Sequence, residues 1–200
     1  FHWPGTHTLA ATTGTDPTFT RATSATFEDF EGLIKTAESS EPRFVGARRV
    51  ENLITASEDM TNAAYTLANN ATVTATEATF DGTANGQVYE TTSSNSTQVD
   101  STFVFSVWIR LVSGTISSDS AVAIQIQGGW VTALENIGDD ITSTSQRFSV
   151  TKTGANSGTN VTGLVDCSDA VTLEITKWQL EEVTGQTNQN PSEYVSTGVA

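Results

Sequence analysis

The sequence predicts an all-β protein, an antiparallel β-sandwich (jelly roll) with an extended N-terminal arm. Two observations support this prediction. The chain of 200 residues is rich in Thr and Val, whose β-branched side chains fit a pleated surface better than a helix, and its 15 glycines supply turns. Apolar and polar residues alternate in several short segments, and no long stretch shows the helical period. Roughly eight to ten such strands pack most simply as two antiparallel sheets, face to face.

Three regions follow one another along the chain. Prolines and glycines interrupt residues 1–18, and we expect these residues to form an arm whose aromatic side chains, Phe1 and Trp3, dock on a neighbouring subunit. Residues 19–54 alternate short extended pieces with turns and lead into the sandwich. Residues 55–200 are predicted to form the sandwich itself, which closes with a polar C-terminal strap at residues 183–200.

The clearest strand is TFVFSVWIRLV, residues 102–112. Most of its apolar residues share one parity, whereas Val104, Ser106, Trp108 and Arg110 have the other, which indicates one core face and one partly hydrated face. AVAIQIQ, residues 121–127, repeats this pattern with Gln125 and Gln127 opposite its apolar residues. The predicted core positions of these two strands are Phe103, Phe105, Val107, Ile109, Leu111, Val122, Ile124 and Ile126.

Further strands are indicated by ATVTATEATF, the end of FDGTANGQVYE, WVTALENI, QRFSVTKT and TGLVD. The last strand, AVTLEITKWQL at residues 170–180, changes phase, because Trp178 and Leu180 have the opposite parity to the apolar residues before them. A β-bulge near Lys177 would return both side chains to the core.

Charge and composition exclude several classes of function. The net charge of −14 argues against binding to a nucleic-acid backbone, which needs clustered Lys and Arg. No stretch approaches the roughly 18 consecutive apolar residues of a membrane span, so no membrane partner is expected. The single cysteine, Cys167, permits no internal disulfide and is expected to be a small core or turn residue.

The sequence does not predict an enzyme. Both histidines, His2 and His7, lie in the predicted arm, away from any formed site. Adjacent carboxylates along a strand point to opposite faces and make poor acid–base pairs. No cofactor is expected, although the turns FDGTANG and DDITSTS offer oxygen ligands, and a structural Ca²⁺ is the alternative to plain turn formation. The carboxylate pairs are Glu58-Asp59, Asp139-Asp140 and Glu181-Glu182.

The best candidates for ligand contact are aromatic and amide side chains on the β-surface. Trp108 and Trp130, with Gln125 and Gln127 near them in sequence, have the chemistry of a sugar platform. The alternative is that Trp108 packs under a loop or in an interface.

Three arginines lie within seven positions, at Arg43, Arg48 and Arg49. They are candidate assembly contacts in an acidic protein. Pairing with local carboxylates, such as Glu41 and Glu51, is the structural alternative.

Two parts of the chain resemble phage virion proteins. FTRATSATFEDFEGLIKTAESSEPRFVGARRVENLI, followed by Ser57-Glu58-Asp59, is similar to a segment with an FTRAS-AT stretch, a D-x-x-G-L-I turn, an EPRF element and an Arg-rich approach to NL(L/I). The C-terminal end is similar to a strand ending in QLE and a (T/S)-x-Y-(I/V)-x-T closure. The matching residues there are Gln179-Leu180-Glu181 and Ser192-Glu193-Tyr194-Val195-Ser196-Thr197.

This resemblance implies a fibre, spike or head-decoration protein whose jelly-roll sandwich is similar to carbohydrate-binding modules. The implied function is that of a non-catalytic virion structural protein, located on the head or in a tail fibre, with virion proteins as partners and a trimer as the expected assembly. The alternative function is that of a carbohydrate-binding adhesin module for host surface glycan. A glycan depolymerase ranks last, because the sequence shows no catalytic constellation.

Overall fold

The computed structural model describes residues 20–28, 34–40, 50–93, 101–128, 131–153, 160–186 and 188–198. Contacts divide the chain into two compact units, Phe1–Arg49 with Gly185–Thr187, and Val50–Thr184 with Asn188–Ala200. Several predictions fall outside the described residues. These are the arm with Phe1 and Trp3, the arginines Arg43, Arg48 and Arg49, and Trp130.

The described part of the first unit is a small antiparallel hairpin. Strand β1, Ala25–Glu28, pairs with strand β2, Ile34–Ala37. The Arg21 guanidinium donates hydrogen bonds to the backbone carbonyl oxygens of Ala37, at 2.8 Å, and Glu38, at 2.6 Å. This side chain thereby fixes the end of the hairpin to the segment that precedes it.

The second unit contains two five-stranded antiparallel sheets. Across the first sheet the strands are β10 (Gln146–Thr153), β7 (Thr102–Gly114), β12 (Ala170–Glu182), β5 (Glu77–Asp81) and β4 (Thr72–Val73). Across the second they are β3 (Tyr65–Ala68), β6 (Gly86–Ser93), β11 (Asn160–Cys167), β8 (Val122–Gly128) and β9 (Val131–Asn136). Two short 3-10 turns cover Asp119–Ala121 and Gly138–Asp140.

The core lies between the two sheets. The predicted core residues of β7 and β8 are fully buried, except that Leu111 packs against the core while partly exposed. The opposite parity, predicted to be partly hydrated, is also buried at Val104, Ser106, Ala123 and Gln125. Gly163 of β11 is required by this packing, because a Cβ atom there would lie 2.9 Å from the Phe105 ring. The predicted antiparallel β-sandwich is therefore confirmed for the described residues.

The predicted bulge in the last strand is confirmed. The register between β12 and β7 shifts between Thr176 and Gln179, and Lys177 has a φ of 55°. Trp178 and Leu180 are both fully buried as a result. The extra residue costs backbone strain, but it allows two large apolar side chains to stay in the core.

One predicted strand is wrong in its extent. ATVTATEATF forms a hairpin of β4 and β5 rather than one strand, because the chain reverses after Thr74. The backbone of Thr74 donates to the Glu77 carbonyl oxygen at 2.8 Å, and its side chain accepts from the Glu77 N–H at 3.0 Å. Thr and Ala alternate through the turn as well as through the two strands, so the sequence pattern did not show where the chain reverses.

Cys167 lies in the core at the end of β11, as expected. Burial is the main cause that raises the pKa of its thiol to about 11. In the residues described, no helix is long and apolar enough to cross a membrane.

Candidate functional site

The two outer surfaces of the sandwich carry different sets of side chains. We call the outer surface of the first sheet the β12 face and that of the second sheet the β11 face, each after its central strand. Outward residues are those whose parity is opposite to that of the core residues on the same strand.

Trp108 lies on the β12 face, where the protein's own side chains occupy its ring. The Arg147 guanidinium carbon is 4.4 Å from the ring centroid, and the Lys177 ammonium is 5.2 Å from it. The Tyr194 ring meets Trp108 edge-on, with the two ring centroids 5.9 Å apart. These contacts leave Trp108 half-buried, and its ring already makes cation–π interactions with Arg147 and Lys177.

Gln179 fastens the C-terminal strap to the β12 face. Its side chain is completely buried. Its amide nitrogen donates to Ser192 Oγ at 2.9 Å and to Glu181 Oε1 at 2.7 Å, and its carbonyl oxygen accepts from the Val195 N–H at 2.7 Å. The β12 face is therefore closed at this point by residues 192–197.

Asn52 is a second attachment point for the strap. Its side-chain oxygen accepts from the N–H groups of Ile54 and Leu180, each at 3.1 Å. Its side-chain nitrogen donates to the carbonyl oxygens of Trp178, at 2.8 Å, and Val195, at 2.9 Å. One buried carboxamide thus joins the segment around residue 53, strand β12 and the strap.

The end of the strap packs against residues 54–57. Tyr194 and Ser57 share a hydroxyl hydrogen bond of 2.6 Å, and the Thr197 hydroxyl donates to the Ile54 carbonyl oxygen at 2.6 Å. Gly198 has a φ of +68°, and a Cβ atom there would lie 2.5 Å from the Thr55 carbonyl oxygen. The backbone therefore approaches more closely than any other residue type would permit.

The β11 face carries a row of side chains that crosses four strands. Tyr89 of β6 is opposite Leu164 of β11, Leu164 is opposite Gln125 of β8, and Gln125 is opposite Leu134 of β9. We call these four residues the central row. Leu134 is 50% exposed, which is unusual for a large apolar side chain, and Tyr89 is half-buried.

Polar side chains flank the central row on both sides. One flanking row contains hydroxyl and amide groups, and the other contains amides, a carboxylate and one alanine. In strand order, these rows are Thr91, Thr162, Gln127 and Thr132, and then Gln87, Asp166, Ala123 and Asn136.

A directional hydrogen-bond chain joins the three rows. The Gln127 amide donates to Gln125 Oε1 at 3.2 Å, and the Gln125 amide donates to an Asp166 carboxylate oxygen. Gln125 and Asp166 are 7% and 6% exposed although both point away from the core. Burial raises the pKa of Asp166, and hydrogen bonds from Asn85, the Ala123 backbone and Gln125 oppose that shift.

The structure separates the sequence-predicted ligand residues. Gln125 and Gln127 lie together on the β11 face, whereas Trp108 lies on the β12 face. Tyr89 and Asp166 were not singled out by sequence reasoning. Their outward parity is visible in QVYE and TGLVD, but their position beside Gln125 depends on strand register, which the sequence pattern does not give.

The described residues do not form a metal centre. Among them, no three His, Cys, Asp or Glu side chains lie close enough to hold a metal ion together. In the FDGTANG turn, Asp81 Oδ1 instead accepts from the Thr83 N–H at 2.9 Å and from its hydroxyl at 2.8 Å. The structural Ca²⁺ stays a prediction.

Comparison with known proteins shows likeness in fold alone. No protein-family model matches the chain, and no curated protein sequence matches it. The enzymatically active domain of tailspike protein 4 from bacteriophage CBA120 is similar in structure, with a TM-score of 0.51 and 11% identity, over 66% of this chain and 21% of that one.

Carbohydrate-binding modules are also similar in structure. The tandem CBM22 domains of Paenibacillus barcinonensis Xyn10C match with a TM-score of 0.50 and 15% identity, over 74% of this chain and 49% of theirs. The xylan-binding CBM22-1 domain of that protein has a TM-score of 0.48 and 13% identity, over 69% of this chain and 98% of its own. The sandwich thus has the fold of carbohydrate-binding modules, and it spans about half of the tandem domain and about a fifth of the tailspike chain.

Proposed function

We propose that the chain is a carbohydrate-binding protein and that the β11 face is its ligand surface. The observation that carries this proposal is the central row with its amide–carboxylate chain. A sugar ring presents apolar C–H groups on its faces and hydroxyl groups around its edge. The exposed Leu134 and the half-buried Tyr89 suit the apolar faces, and the half-exposed Gln127 suits the hydroxyl groups. Gln125 and Asp166 lie beneath the surface and continue the hydrogen-bond chain that orients the Gln127 amide.

The β12 face is less suited to a ligand. Residues 192–197 lie against it through Gln179 and Arg147, whose guanidinium donates to the Ser192 carbonyl oxygen at 2.6 Å. A sugar that stacked on Trp108 would have to displace Arg147 or Lys177 from the ring. This cost favours the β11 face.

Binding is tested on a glycan array, followed by calorimetry with a soluble glycan that gives a signal. We expect Tyr89→Ala and Gln127→Ala each to weaken binding by about tenfold or more, because both remove direct contacts. Thr79→Ala, an exposed substitution on the β12 face, is the matched control and should leave affinity unchanged. Loss of binding in Trp108→Ala, with Tyr89→Ala unaffected, would assign the ligand to the opposite face.

We propose that the protein acts by binding without hydrolysis. Glycoside hydrolysis generally uses two carboxyl groups that flank the scissile bond. Among the described outward residues of the β11 face, Asp166 is the one carboxylate. Release of reducing sugar from any polymer that the protein binds would contradict this part of the proposal.

The setting that we propose for this activity is a phage virion, with other virion proteins as partners and a trimeric assembly. Support comes from the sequence resemblance of residues 19–59 and 179–197 to phage virion proteins, with the tailspike likeness in fold alongside it. Immunogold labelling of source particles tests it. Label on heads or tails is expected, and particles without label would leave a carbohydrate-binding module outside the virion.

A further inference from the structure

The cations of the sandwich unit lie away from its β11 face. Residues 50–198 contain four Lys or Arg residues, and all of them are described. Arg110, Arg147 and Lys177 are on the β12 face or in its bulge, and Arg110 is held by Glu174 in a bidentate pair of 2.9 and 2.6 Å. The three exposed or half-exposed cations therefore concentrate on one side of the sandwich.

The fourth cation, Lys152, is also remote from the centre of the β11 face. It is buried between the sheets, and its ammonium donates to the Gly128 carbonyl oxygen at 2.8 Å. Asp166 is opposite Ala123, which is five residues from Gly128 along β8, or roughly 17 Å in an extended strand. Lys152 thus does not neutralise Asp166.

Asp166 is consequently a carboxylate surrounded by neutral groups. Its hydrogen-bond donors are the side chains of Gln125 and Asn85 and the Ala123 N–H. The other described residues that point outward from the second sheet are Thr, Gln, Asn, Ala, Leu and Tyr. An acidic sugar placed on the central row would bring a second negative charge near Asp166, and none of the described outward residues of this face is a cation that could offset it.

We propose that the β11 face selects neutral saccharides and rejects acidic ones, with Asp166 as the residue that determines this selection. This inference rests on the proposed glycan-binding function. Hydroxyl groups of a neutral sugar can both donate to the Gln127 and Asp166 oxygens and accept from the amides. A carboxylate or sulfate on the ligand is negatively charged and repels Asp166, and it cannot donate to the acceptor oxygen that it faces.

The test uses pairs of polymers that share a backbone and differ in substituent charge. Hydroxyethyl and carboxymethyl forms of cellulose, xylan, mannan and dextran are compared by affinity electrophoresis and calorimetry. For any backbone that binds, we expect the hydroxyethyl form to bind at least about tenfold more tightly than the carboxymethyl form. Added salt should narrow the difference, because it screens repulsion of the acidic form and leaves the neutral form unaffected.

Two variants test the role of Asp166. Asp166→Asn removes the charge and should reduce the neutral-to-acidic affinity ratio by about threefold or more. Gln127→Lys places a cation beside Gln125 at a half-exposed position, and it should reduce the neutral-to-acidic affinity ratio even though loss of the amide contact weakens binding of both forms. Thr79→Lys makes the same charge change on the β12 face and should leave the ratio unchanged.

The outcomes separate this inference from the function on which it rests. Equal or tighter binding of the carboxymethyl form overturns the selection while glycan binding stands. An unchanged ratio in both Asp166→Asn and Gln127→Lys, with neutral polymers still preferred, overturns the role of Asp166. Failure to bind either form of every backbone, together with a blank glycan array, overturns the proposed function itself.

Discussion

The two faces of this sandwich differ in how far their glutamine side chains are hydrogen-bonded within the protein. On the β12 face, Gln179 is completely buried, and both its amide nitrogen and its carbonyl oxygen are bonded within the protein. On the β11 face, Gln127 is half-exposed, and its carbonyl oxygen accepts no hydrogen bond from the described residues. A glutamine whose hydrogen bonds are all internal stabilises the fold, whereas one with unused capacity at the surface is available to a ligand.

The largest effect that we expect comes from the attachment of the strap to the β12 face. Asn52→Ala removes four hydrogen bonds, one of them to the Val195 carbonyl oxygen, and leaves buried backbone groups of Ile54, Trp178 and Leu180 without partners. We expect a loss of about 3 kcal/mol in the free energy of unfolding. Thermal and urea unfolding measure it, and Thr79→Ala is the exposed control. A change below about 1 kcal/mol would show that Asn52 does not hold these segments together.

Deletion of the end of the strap should have a smaller effect, because the groups that it uncovers become hydrated. Truncation after Gln189 removes Ser192 and Val195, which are hydrogen-bond partners of Gln179, and it removes the contact of Tyr194 with Trp108. We expect the melting temperature to fall by several degrees, about 2 kcal/mol of stability, with glycan binding on the β11 face retained. A truncated protein that is equally stable would mean that the strap contributes nothing to the fold.

The buried Asp166 of the β11 face should make the stability of the protein depend on pH. Because burial raises the pKa of Asp166 in the folded state, the folded protein binds a proton more tightly than the unfolded chain there. The contribution of Asp166 to stability therefore decreases as pH rises from the ordinary Asp value through the raised pKa. Asp166→Asn should gain stability relative to the wild type over that window, as measured by melting curves from pH 3 upward. A relative loss with rising pH would show that the folded protein favours the charged form.

The smallest effect concerns the bulge. Lys177 has a φ of 55°, in the left-handed region, while its ammonium lies over Trp108. Lys177→Gly relieves the strain but loses the cation–π contact and adds freedom to the unfolded chain, so we expect stability within about 1 kcal/mol of the wild type. Lys177→Val, which puts a β-branched residue there, should cost clearly more than the glycine. Equal stability of the two variants would argue against a left-handed residue at the bulge.

The sequence pattern predicted the strands with long, regular alternation and the bulge that the phase change requires. It missed β3, whose four residues Tyr65–Ala68 are too short to show a period, and it joined β4 to β5. The other features that the sequence did not predict depend on strand register and on contacts between residues far apart in the chain. Asn52 meets Val195 across 143 residues of sequence, and the central row exists only because four strands align in one register. Neither feature leaves a local signal in the sequence.

We propose that the β11 face, and not the β12 face, binds glycan. The most direct measurement is amide chemical-shift mapping by NMR while a neutral oligosaccharide from the array is titrated. We predict that the largest shifts occur in β6, β11, β8 and β9, around Tyr89, Gln125 and Asp166. Shifts concentrated in β10, β7, β12 and residues 192–197, around Trp108, would contradict the account.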